Sequence, residues 1–69
     1  MITSAQIDRQ KMDLAMTAQE AKFRSLVKQI ETAFYDLPAP ESEYLKWGHV
    51  NSAEYVNKEL SDILQFLTR

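Results

Sequence analysis

The chain has 69 residues, 45% hydrophobic and 26% charged, with one Gly, two Pro, no Cys and a formal net charge of −2. A chain this short forms one domain at most and buries only about 60% of the surface its unfolded form exposes, so it needs a stabilising device. The missing Cys excludes disulfides, a single His excludes an ordinary zinc site, and weak acidity removes the electrostatic footprint of a non-specific nucleic-acid binder. Oligomerisation or well-packed long helices remain, and the composition suits an all-α protein better than a β-rich or disordered one.

Thr3 or Ser4 is placed to cap a first helix, because a hydroxyl there accepts a bond from an otherwise unpaired backbone N–H. From Ala5 to Tyr35 there is neither Gly nor Pro, and good helix formers dominate, so one long helix is predicted over about residues 4–36. Met12, Met16, Gln19, Phe23, Leu26, Ile30, Ala33 and Leu37 recur at alternating spacings of four and three. That spacing holds them on one helix face as a heptad seam, which extends backwards through Arg9, Ala5 and Ile2. From Phe23 onward Val27 and Phe34 widen the seam. Before it the seam is thin, and Ile7, Leu14 and Ala21 form a second apolar strip roughly opposite.

Pro38-Ala39-Pro40 ends this helix, since each Pro lacks an N–H and disfavours helical geometry in the residue before it. Pro40 is suited to the first position of a short helix over residues 40–47, with Gly48 as its stop. Asn51 with Glu54 three residues later reads as a capping box, and Val50 with Tyr55 as a hydrophobic staple. Ala53, Val56, Leu60, Ile63 and Leu67 then repeat the helical spacing, which predicts a helix over about residues 52–67.

The expected fold is therefore a single domain, residues 1–69. A long helix, a short connector helix and a shorter C-terminal helix would form an antiparallel hairpin. The last helix can cover only about half of the first, so the surface of Ile7, Met12, Leu14 and Met16 is left for another copy or a partner. Two copies packing their long helices antiparallel would cover both arms in a symmetric four-helix arrangement, which makes a homodimer the expected state.

Little in the chain carries chemistry. His49 lies in the connector with no motif that supplies a nucleophile and an orienting carboxylate, and its ordinary reading is a turn histidine. The acidic pairs match neither a di-metal bundle nor an EF-hand, and a phosphate loop cannot be built with one Gly. No catalytic residue, cofactor or metal is expected. Tyr44, Trp47, His49 and Tyr55 gather near the connector, either as a mini-core plugged by Trp47 or as a recognition cluster for another protein.

Residues 1–35 hold five Lys/Arg against four Asp/Glu, and residues 36–69 three against six, so any basic face must use Arg9, Lys11, Lys22, Arg24 and Lys28 of the first helix. Acidic neighbours interrupt that face. The expectation is a small non-enzymatic interaction or oligomerisation module, and the runner-up is a small dimeric regulator that binds nucleic acid through the first helix. No apolar run reaches a membrane span and no basic-then-apolar leader is present, so a soluble cytoplasmic protein is expected.

Overall fold

The computed structural model describes residues 2–69, and among them are two α-helices and no strand. Helix α1 spans Ser4–Tyr35 and helix α2 spans Trp47–Thr68. The chain divides into two units, Met1–Thr32 and Ala33–Arg69.

The first unit is the bulk of α1. Its start is a reciprocal capping box: the Thr3 N–H donates to Gln6 Oε1 at 2.8 Å, and the Gln6 N–H donates to Thr3 Oγ1 at 3.2 Å. Two of the four N–H groups that a helix start leaves unpaired are so satisfied, while Ile2 and Ile7 stand at the positions of a hydrophobic staple. Thr17 Oγ1 donates back to the Asp13 carbonyl at 2.9 Å and Thr32 Oγ1 to the Lys28 carbonyl at 3.0 Å, which keeps both hydroxyls paired within the helix. Arg9–Asp13 and Arg24–Glu20 form i, i+4 pairs at 3.3 and 3.6 Å. Both are well exposed, and pairs of this kind add only a few tenths of a kcal/mol.

The second unit holds the end of α1, the connector and α2. The expected short helix over residues 40–47 does not form; successive turns take its place. The Ser42 N–H bonds to the Ala39 carbonyl at 3.1 Å, and Glu41 has φ of 74°. Pro40 then occupies the second position and Glu41 the third of a turn of type II geometry. A left-handed residue cannot lie in a right-handed helix, and for a residue with a Cβ it costs about 1–2 kcal/mol. The chain turns again at once, with the Leu45 N–H on the Ser42 carbonyl at 3.2 Å and the Tyr44 N–H on Ser42 Oγ at 3.1 Å.

Helix α2 begins five residues earlier than the expected start at Ser52. Lys46 is its cap residue, with the extended backbone (φ −127°, ψ 159°) that a cap requires. The Lys46 N–H donates to His49 Nδ1 at 3.0 Å, and the Lys46 carbonyl accepts from the N–H of His49 and of Val50. The return bond of a full capping box cannot form here, because the Lys46 ammonium group has no lone pair to accept the His49 N–H. Gly48 therefore lies inside the first turn of α2 and does not stop a helix, while Asn51 and Glu54 lie in its body and cap nothing. Starting at Trp47 places Leu45 and Val50 at the staple positions expected of Val50 and Tyr55.

No described side chain is fully buried. Within the second unit the half-buried positions are Phe34, Leu37, Pro38, Leu45, His49, Val50, Ala53 and Val56, with Ser42. These residues surround the connector and form the nearest thing to a core in that unit.

Candidate functional site

The two groups of residues singled out in the sequence fall in different units. Ile7, Met12, Leu14 and Met16 all lie on α1 within the first unit, and all are exposed: Leu14 at 73%, Met16 at 61% and Met12 at 58%. Phe23, Leu26 and Ile30 continue the seam of Met12 and Met16 and are also exposed, while Ile7 and Leu14 stand on the strip roughly opposite. Each of these exposed side chains keeps its hydration cost until something covers it.

Tyr44, Trp47, His49 and Tyr55 are in the second unit and do not form one cluster. Trp47 is 79% exposed, so it is not the plug of the connector end. Leu45, His49 and Val50 take that place. An apolar cleft of about 600 Å³ opens among Phe34, Tyr35, Leu37, Pro38, Ala39, Pro40, Leu45, His49, Val50 and Ala53. The end of α1 supplies the first two of these residues, the connector the next five, and the first turns of α2 the rest. Trp47 lines a separate, shallower recess of about 320 Å³ with Leu45, Lys46 and Val50. Tyr44 and Tyr55 line neither and are exposed.

The cleft residues could not be picked out by residue type. Phe34, Leu37 and Ala53 were visible as apolar positions of helical spacing and Val50 as a staple residue, but the proline turns that bring Pro38 and Pro40 beside them leave no periodic signal. A mainly apolar lining, with Tyr35 and His49 the residues whose side chains carry polar groups, suits an apolar side chain or a small apolar body.

His49 is the one imidazole in the chain, and its Nδ1 accepts the Lys46 N–H. That nitrogen is engaged by the backbone at the start of α2, so His49 stands in the first turn of a helix and not in the connector expected from the sequence. No group of three or more His, Cys, Asp or Glu suited to a metal ion occurs among the described residues, and none of their helices is long and apolar enough to cross a membrane. Of the five basic residues of α1, Arg9 and Arg24 are engaged by Asp13 and Glu20 of the same helix.

Compared with known proteins, the chain matches no family model, no curated protein and no solved structure.

Proposed function

We propose that the chain is a small non-enzymatic interaction module that self-associates through the apolar seam of α1. In this reading α2 folds back on the end of α1 as an antiparallel hairpin, and two copies join their long helices antiparallel into a four-helix arrangement. The exposed side chains of Met12, Met16, Phe23, Leu26 and Ile30, aligned along a 32-residue helix, are the observation that carries it. Apolar area removed from water is worth about 25 cal/mol per Å² before ordering costs are subtracted, so covering this stripe would contribute to association. The exposed Trp47 beside its recess offers a second point of contact for another protein.

The test is solution mass by light scattering over a concentration series, on the wild type and on a Leu14→Glu, Met16→Glu double variant. The wild type should have the mass of a dimer and the double variant that of a monomer, with α1 still helical by circular dichroism. A wild type that remains monomeric at high concentration overturns self-association.

A further inference from the structure

We infer that two copies pair along α1 in one antiparallel register, in which Phe23 of each faces Leu26 of the other. The inference rests on the self-association proposed above and adds its geometry. Along α1 the half-buried residues are Val27 and Phe34, seven apart on the flank of the seam, whereas Phe23, Leu26 and Ile30 on the seam itself are exposed. The seam is therefore the face open to a second copy.

Charge selects the register. In a parallel pair Arg9 would meet its own copy and Asp8 would meet Asp13. In an antiparallel pair the two rows of the seam face each other, so the helices slide only in steps of one heptad. The register that overlaps α1 nearly end to end sets Lys22 against Lys22 and Glu20 against Glu20. One step towards the N-termini sets Glu20 against Asp13, and the next sets Asp13 against Asp13.

One step the other way opposes no like charges. Lys22 then meets Gln29, Glu20 meets Val27, and Asp13 meets Phe34. A further step is also free of repulsion, but it leaves Met16 with no seam partner on α1. Like charges set face to face are how an interface rejects a wrong pairing. The favoured register is the longest that avoids them, with roughly 33 Å of overlap.

The chain has no Cys, so single substitutions report the register directly. A disulfide needs Cα atoms within about 7 Å, and a slip of one heptad moves them by roughly 10 Å. Gln19→Cys mixed with Ile30→Cys should give a covalent dimer under mild oxidation, and each variant alone should give none. A covalent dimer from Met12→Cys mixed with Ile30→Cys means the end-to-end register, and one from Gln19→Cys alone means parallel helices; either overturns the inference. Dimer mass with no cross-link in the Gln19 and Ile30 mixture also overturns it while self-association stands. Monomer mass for the uncrosslinked wild type overturns both.

Discussion

At the scale of single residues, the backbone conformation of Gly48 decides what that residue contributes. Its φ is not in the left-handed region, and a Cβ built on it meets nothing within 4 Å. The position therefore carries the entropic cost of glycine without using its freedom. Gly48→Ala should raise stability by about 0.5–1 kcal/mol, seen as a higher denaturation midpoint in urea with an unchanged slope. A lower midpoint would mean that the first turn of α2 needs the glycine. Sequence alone misread this residue as a helix stop because glycine is commonest just past helix ends, and composition does not report φ. The one described non-glycine residue with positive φ is Glu41, where no local signal in the sequence marks such a geometry. From the sequence Pro40 before it reads as the first residue of a short helix, but a proline opens a turn or a helix equally well, and the choice falls to the residue that follows.

At the scale of the elements, both helices were legible and their starts less so. Thirty-one residues without Gly or Pro, at helical spacing, leave α1 no alternative, and Thr3 was visible as its cap. The start of α2 was hidden, because Asn51 and Glu54 carry the stronger familiar signal while the cap in use is a Lys with a His behind it. Neither helix has acidic residues in its first turn or basic residues in its last, so the helix dipoles are uncompensated by charge and the caps carry more of the burden. His49 is the acceptor that holds the Lys46 N–H. His49→Ala should shorten α2 at its start and cost about 1 kcal/mol, whereas His49→Gln, with a side-chain oxygen at the same helix position, should recover most of that loss. Amide exchange over residues 46–50 and urea unfolding together check both variants, and equal stability for the two would remove the capping role.

For the whole molecule, the seam of α1 was readable because it is periodic, whereas the cleft of the second unit was not, since turns assemble it from residues that share no spacing. Exposure of so much apolar side chain in a 69-residue protein ties stability to whatever covers it. If that cover is a second copy, unfolding is coupled to dissociation, and the thermal midpoint should rise by roughly 5 °C for each tenfold increase in protein concentration. A midpoint independent of concentration would show that one chain folds without its copy.

The bond between the Lys46 N–H and His49 Nδ1 also constrains the imidazole itself. To accept at Nδ1 a neutral ring must carry its own proton on Nε2, so the beginning of α2 selects one of two tautomers. Rotating the ring by half a turn would place a carbon-bound hydrogen where the acceptor stood, and the Lys46 N–H would lose its partner. The first turn of α2 therefore fixes both the tautomer and the ring orientation of His49.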